Sequence, residues 1–254
     1  MKRKLVAALA CRHSGSRLFG KPFQNLDIKN NIKVIDNIID CFKQFSFIKE
    51  IVLGISEGEV NKSFIDYAKS KKIKYIIGDE RDVLSRLIQC GDKTKASDIV
   101  RVSSESPFLL FEILKKSWEN HKNKNNDFTT ADNVIDGTGF EIINLNALKY
   151  SHKYGKKKHR SELCSLFIRE NLNIFKCEQI KINKMYNRKD LRLTVDYPED
   201  LILCREIYSK FKKDAPLIKI KNIISFLDKN KKLINITKKF TKEGYFTMNK
   251  WIKK

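Results

Sequence analysis

Three short stretches of this chain gather the residue types that hold phosphate and a hard metal ion. The first, residues 11–23 (CRHSGSRLFGKPF), places Arg12, Ser14, Ser16, Arg17 and Lys21 among two glycines. Backbone N–H groups freed by glycine, beside guanidinium and ammonium groups, form a cradle for a polyphosphate. It is neither a Walker loop nor a dinucleotide fingerprint, since GxxxxGK[ST] and GxGxxG are both absent. A merely solvated basic loop is the plain alternative. The second stretch, residues 101–108 (RVSSESPF), offers Glu105, a carboxylate able to hold Mg²⁺ against phosphate oxygens. Its alternative is that Ser104 or Ser106 caps a following helix. The third is Asp196, before Tyr197 and Pro198, which can equally be a helix cap. Pro22, Pro107 and Pro198 fall one in each stretch, so each is shaped rather than slack.

Such loops need rigid elements to aim them, and the apolar pattern supplies these. Residues 5–11 (LVAALAC) form a continuous apolar run, as in a strand buried on both faces of a parallel sheet. Helical spacing over 31–42 is followed by strand-like 51–55 (IVLGI), a helical pattern through Phe64, Ile65 and Ala68, and strand-like 73–77 (IKYII). Residues 82–90 read as helix, 98–102 (DIVRV) as strand and 108–118 as helix. This alternation predicts an α/β fold with a doubly wound, mostly parallel sheet, whose ligands lie beyond the carboxyl ends of the strands. That edge is where the first two basic and acidic loops begin.

Beyond Glu119 the pattern loosens. Residues 120–127 read as a polar loop, 128–131 and 140–144 as strands, 154–160 (YGKKKHR) as a basic loop before a helix over 161–171. Residues 191–195 (LRLTV) predict a further strand, and a helix opens at Pro198 with acidic residues near its positive dipole end. The last forty or so residues read as lysine-rich helix, with Ile218, Ile220, Ile223, Ile224, Phe226 and Leu227 packing on the sheet. We expect residues 1–254 to form one domain with a small β-rich insertion near 120–190.

Fifty-two Lys+Arg against thirty Asp+Glu give a formal charge of +22. Attraction to polyanions follows, but the lysines are scattered, and no helix-turn-helix, RNA-binding aromatic motif or paired zinc spacing accompanies them. Nucleic acid and membrane are therefore not expected partners, although the lysine-rich tail keeps that reading open. No apolar run approaches the ~18–20 residues that cross a bilayer, and the start does not read as a signal peptide, so a cytoplasmic location is expected. The six cysteines (11, 41, 90, 164, 177, 204) show no CxxC pair and read as reduced core residues. The four histidines show no metal-ligand spacing.

Read in order, the motifs are also recognisable. Arg12-x-Ser14-x-Ser16-Arg17-Leu18-x-Gly20-Lys21-Pro22 resembles the opening signature of the CMP-sugar synthetases, the superfamily of CMP-Kdo synthetase and acylneuraminate cytidylyltransferase. The likeness is strongest to the branch named after spore coat polysaccharide biosynthesis protein F. Residues 78–86 (GDERDVLSR) are similar to that branch's G-x-x-x-DVL-x-R, 101–107 to its R-x-T-G-D-x-P, and 191–200 (LRLTVDYPED) to its LRLTVD-x-PED, with the shorter 168–171 (IREN) before the last. The resemblance spans about residues 4–212. Three departures stand out: Ser104-Glu105 where the branch has glycine and aspartate, Phe19 for a proline, and Leu163 for a histidine.

The resemblance implies a Rossmann-like nucleotidyltransferase fold of the glycosyltransferase-A type and transfer of CMP from CTP to an acidic sugar, such as a sialic-acid-like or Kdo-like ulosonate, with release of pyrophosphate for surface polysaccharide or glycan synthesis. It assigns Arg12, Lys21, Glu105 and Asp196 as catalytic. Arg12 and Lys21 would grip the β and γ phosphates, supported by Ser14, Ser16 and Arg17. Glu105 and Asp196 would hold Mg²⁺, Arg86 and Ser103 would lie near the base, and Glu141, Arg160 and Glu162 would meet the acceptor. Relatives are often homodimers through the inserted region. The departures at Glu105 and Leu163 leave a non-catalytic accessory protein of a glycan pathway as the alternative.

Overall fold

The structure, a computed structural model, describes residues 3–15 and 17–249, with 242–249 as backbone alone. Ser16 lies outside the described residues. The chain begins with β1 (Leu5–Cys11), then the hairpin β2 (Asn25–Asp27) and β3 (Ile32–Lys33), helix α1 (Val34–Lys43), β4 (Ile48–Ser56), α2 (Lys62–Ser70), β5 (Lys74–Gly78), α3 (Val83–Thr94) and β6 (Asp98–Arg101). It continues with α4 (Leu114–Asn123), β7 (Phe128–Thr130), β8 (Glu141–Asn144), α5 (Leu145–Tyr154), α6 (Leu166–Glu170), β9 (Cys177–Gln179), α7 (Pro198–Phe211), α8 (Ile220–Lys229) and α9 (Lys231–Asn249).

Seven strands form one sheet in the order β5-β4-β1-β6-β8-β7-β9. The first four are parallel; β8 runs antiparallel to both β6 and β7, and β9 is parallel to β7. The expected α/β, mostly parallel, doubly wound sheet is thus present, and its irregular second part extends the same sheet. Period-two alternation sorts β1 between two cores. Leu5, Ala7, Leu9 and Cys11 face α1, α2 and α4 through Ile38, Phe64 and Trp118. Val6 and Ala8 face α3, α5 and α6 through Leu87, Leu148 and Ile168. A strand covered on both faces has no room for polar side chains, which is why β1 reads as an unbroken apolar run.

Several boundaries differ from expectation, each for a visible reason. The first helix starts at Val34 rather than near residue 31, because Ile32–Lys33 pairs with Asn25–Asp27 and the Lys33 N–H is taken by the Asp36 carboxylate. Residues 108–110 are irregular and buried instead of helical; the Leu110 N–H donates to the Thr138 carbonyl, a 3₁₀ turn spans Phe111–Ile113, and α4 begins only at Leu114 and runs on through Asn123 into the expected polar loop. Of the helix expected over 161–171, only Leu166–Glu170 forms, after a 3₁₀ turn at Lys157–Arg160. Residues 191–195 are extended but join no ladder beyond one bridge between Arg192 and Asp136. Their partners are two loops: Leu193 N–H bonds the Asp136 carbonyl and Val195 N–H the Glu105 carbonyl. The apolar residues of α8 do not reach the sheet; with α7 and Leu191, Leu193 and Val195 they build a third core beside it.

That third core holds the acidic loop in place. Gly137, at φ 90°, lies so close to the 193–194 backbone that a Cβ there would sit 2.7 Å from the Leu193 carbonyl and the Thr194 nitrogen. Only glycine fits both the dihedral and the gap. Cys11, Cys41, Cys90, Cys164 and Cys204 are buried and Cys177 half-buried, all as free thiols. Among the described residues no helix is long and apolar enough to cross a membrane.

Candidate active site

The three loops singled out by their chemistry meet beyond the carboxyl ends of β1 and β6. The first leaves β1 at Cys11 and folds back on itself: Gly20, in a left-handed conformation, donates its N–H to the His13 carbonyl, and Pro22 opens a 3₁₀ turn over Lys21–Phe23. The return aims two cations at one oxygen. Lys21 Nζ lies 2.6 Å and Arg17 Nη2 2.8 Å from Asp196 Oδ1. Arg17 also stacks its guanidinium 5.1 Å from the centre of the Tyr197 ring.

His13 anchors this loop from below. Its N–H donates to Asn61 Oδ1, its Nε2 lies 2.6 Å from the Ser63 hydroxyl, and its ring sits among Phe19, Phe23 and Phe64. Nδ1 is buried without a hydrogen-bond partner. Burial lowers the imidazole pKa below its ordinary 6.5. The unfolded chain therefore takes up this proton first, so the stability that neutral His13 confers is complete above about pH 6.5 and is lost as pH falls below it toward the folded value. Thermal melts at pH 7.5 and 5.5 are expected to show a smaller acid-side loss for His13→Gln than for the unaltered protein; parallel losses would exclude this role.

The second loop crosses under the first. The Ser104 hydroxyl lies 2.9 Å from the Ala10 carbonyl and 3.2 Å from Glu105 Oε2, and the Ser106 hydroxyl donates to Thr194 Oγ1. Neither serine caps a helix. Because the Glu105 carbonyl accepts the Val195 N–H at 3.0 Å, Glu105 and Asp196 are stitched together one residue apart. The helix after the third loop is capped at Tyr197, and the Asp200 carboxylate takes the N–H groups of both Asp196 and Tyr197 at 2.9 Å. Asp196 is thereby spared for the cations. Burial opposes its charged form, but Lys21, Arg192 and Arg17 outweigh that and hold its pKa below the usual carboxylate range.

The remaining expected residues surround this centre. Arg12 pairs with Glu162, and the Ser14 hydroxyl reaches Glu80 Oε1 at 3.2 Å. Arg86, 1% exposed, passes from α3 to the floor of the site, where it donates to the carbonyls of Cys11 and Gly54 at 3.2 and 3.0 Å. Gly78 makes the passage possible, since a Cβ there would lie 2.9 Å from Arg86 Cγ. Among the described residues no carboxylate hydrogen-bonds this guanidinium and Nε is buried unpaired, and burial lowers its pKa. Ser103 is half-buried on the second loop. Glu141 is committed to protein partners: Arg101 at 3.0 Å on one oxygen, Arg169 at 3.0 Å and Ser165 on the other. Burial pushes its pKa up, yet the two arginines carry it down to about 2. Glu162 is exposed, its carbonyl held by Arg101 at 2.7 Å, and Arg160 stands 3.8 Å from Asp82.

Arg192, Asp136 and Asp200, which surround Asp196, carried no role in the sequence reading. Arg192 and Asp200 do lie with Asp196 in the 191–200 motif, recurring every four residues, whereas Asp136 left no trace. Among the described residues no three His, Cys, Asp or Glu side chains form a metal site alone. Asp196 and Glu105 are hard oxygen donors, and Asp196 is paired with Arg17 and Lys21, a set suited to Mg²⁺ shared with phosphate oxygens rather than caged by protein.

Residues 6–243 match the cytidylyltransferase family over nearly the whole chain. The chain belongs to that family. Spore coat polysaccharide biosynthesis protein SpsF of Bacillus subtilis is 22% identical over 231 residues, covering 89% of this chain and 95% of SpsF. Among solved structures, a cytidylyltransferase from Leptospira borgpetersenii superposes with a TM-score of 0.80 at 19% identity, over 92% of this chain and 97% of that one. CMP:2-keto-3-deoxy-manno-octonic acid synthetase complexed with CTP gives 0.59 at 13% identity, over 82% and 99%. The superfamily and branch named from the motifs are borne out, and the cytidylyltransferase is a CTP-dependent nucleotidyltransferase whose reaction is CMP transfer.

Proposed function

We propose that this cytidylyltransferase transfers CMP from CTP to an acidic sugar of the ulosonic class, releasing pyrophosphate, in surface polysaccharide or glycan synthesis. The observation that carries the reading is the meeting of Arg17 and Lys21 on one oxygen of Asp196, which supports a cationic cradle for a triphosphate beside a carboxylate suited to its metal ion. Arg12 and Lys21 hold the β and γ phosphates, with Ser14, Ser16 and Arg17 beside them. Arg86 and Ser103 lie toward the nucleoside. Asp196 and Glu105 hold Mg²⁺, which neutralises charge on the phosphates when bound. An acceptor hydroxyl attacks the α-phosphorus, the bond to the β-phosphate oxygen breaks, and pyrophosphate leaves; positioning and charge neutralisation supply most of the acceleration.

The acceptor enters from the 120–190 side, where Arg160, Glu162 and Glu141 lie. Support for an acidic sugar comes from the family, from a relative named for polysaccharide biosynthesis and from a structural neighbour that acts on 2-keto-3-deoxy-manno-octonic acid. The exposed Tyr150, Tyr154, Leu172 and Ile174 of this same region suit a homodimer contact. A cytoplasmic setting, where CTP is made, fits the activity.

Thermal-shift measurements with the four nucleoside triphosphates and Mg²⁺ test the donor half. At 100 times its Kd a ligand stabilises by about 2.7 kcal/mol, so CTP alone is expected to raise Tm by several degrees. Pyrophosphate release then depends on a ulosonic acid, and light scattering of the same sample reports a dimer. Equal stabilisation by all four nucleotides, or release with neutral sugars only, would overturn the assignment; a monomer would remove the dimer.

A further inference from the structure

Arg192 sits at the centre of the acidic loop, 2% exposed, and three carboxylates share its guanidinium. Nη1 donates to Asp136 Oδ2 at 2.7 Å, Nε to Asp200 Oδ1 at 3.0 Å, and Nη2 to Asp196 Oδ2. The planar fork fixes the direction of each bond, as an ammonium on a flexible stem cannot. Asp200, fully buried, ties down the backbone of Asp196 and Tyr197, and the turn carrying Asp136 is pressed on residues 192–194 through Gly137. Asp196 is thus held at its backbone and at one carboxylate oxygen. Its other oxygen, Oδ1, carries Arg17 and Lys21.

Charge shows what this serves. Asp136, Asp196 and Asp200 are balanced in this structure by Arg192, Arg17 and Lys21. If Arg17 and Lys21 turn to a triphosphate, the carboxylates are left with two uncompensated negative charges, the complement of one divalent cation, and Oδ1 is the oxygen of Asp196 that this exchange releases to meet it. Buried charges left unpaired are costly, so the exchange favours nucleotide and metal together.

We infer that Arg192 is a positioning residue: it pins Asp196 Oδ2 so that Oδ1 alone faces nucleotide and metal, and Asp136 in turn orients Arg192. The inference rests on the proposed role of Asp196 in holding a metal-bound nucleotide.

Arg192→Lys keeps the positive charge and loses the fork. The expected result is a kcat at least about 10-fold lower with KM for CTP within about twofold of the unaltered value, since an interaction that orients a reacting-state ligand appears in kcat. Calorimetric binding of CTP adds a readout independent of turnover: affinity is retained to within about twofold both without and with Mg²⁺. A merely structural role would lower metal-free and metal-dependent binding together. That outcome, or an unchanged kcat, overturns the inference. Should the lysine variant not fold, Asp136→Asn, which preserves shape and an acceptor oxygen, is expected to lower kcat about 3- to 10-fold at constant KM; an unchanged kcat overturns it equally. Asp196→Asn separates the two levels, because full activity there would remove the metal reading beneath the inference, whereas an inactive Asp196→Asn beside a normal Arg192→Lys removes the inference alone.

Discussion

Asp196→Ala is expected to turn over CTP about 10²- to 10³-fold more slowly than the unaltered protein, a loss of roughly 3–4 kcal/mol of transition-state stabilisation. Its side chain joins the basic loop after β1 to the acidic loop, and its removal frees Lys21, Arg17 and one arm of Arg192 at once. The backbone stays tied through Asp200, so the fold is expected to survive. Initial rates of pyrophosphate release, with a thermal melt to confirm folding, decide the matter. Turnover within about threefold of the unaltered protein would remove Asp196 from the reaction.

The second large effect concerns stability. Gly137→Ala forces a Cβ against the Leu193 carbonyl and the Thr194 nitrogen at 2.7 Å, at a residue with φ 90°. The obstacle is backbone, so no side-chain rotation relieves it. Positive-φ strain alone costs about 1–3 kcal/mol, and separating the turn from residues 192–194 adds to it. We expect a loss of roughly 2–4 kcal/mol and a Tm lower by about 5–15 °C in a chain of this size. Catalysis should suffer as well, because the same shift draws Asp136 away from Arg192. A Tm unchanged to within a degree would show that the turn can move aside.

Much of this architecture is written locally and was readable there. β1 is apolar along its length because it is covered on both faces, and β4, β5 and β6 follow at spacings that leave room for one helix each. Lys21, Glu105 and Asp196 could be singled out because each lies in a loop marked by a proline. What stayed hidden depends on distant partners. Residues 191–195 alternate like a strand, but their hydrogen bonds go to Asp136 and Glu105 in two loops. The grip on Asp196 joins Arg192 to an aspartate 56 residues earlier, a separation with no periodic trace. β2, β3 and β9 are two or three residues long, too short to show a pattern, whereas β7, read from residues 128–131, was legible. The resemblance put Glu141 and Glu162 alike at the acceptor, yet Glu141 is buried and bound to protein partners, whereas Glu162 is exposed.

The occupied state of Lys21 and Arg17 bears on how a strongly cationic protein tells its ligand from the anions that crowd a cell. Orthophosphate or sulfate arriving alone must break two ion pairs and strand Asp196, with nothing to offer that carboxylate in exchange. A nucleotide that brings its own cation repays both sides of the trade. The site is therefore expected to ignore common small anions at concentrations that would saturate an open arginine–lysine pair, so that discrimination begins before the base or the sugar is read.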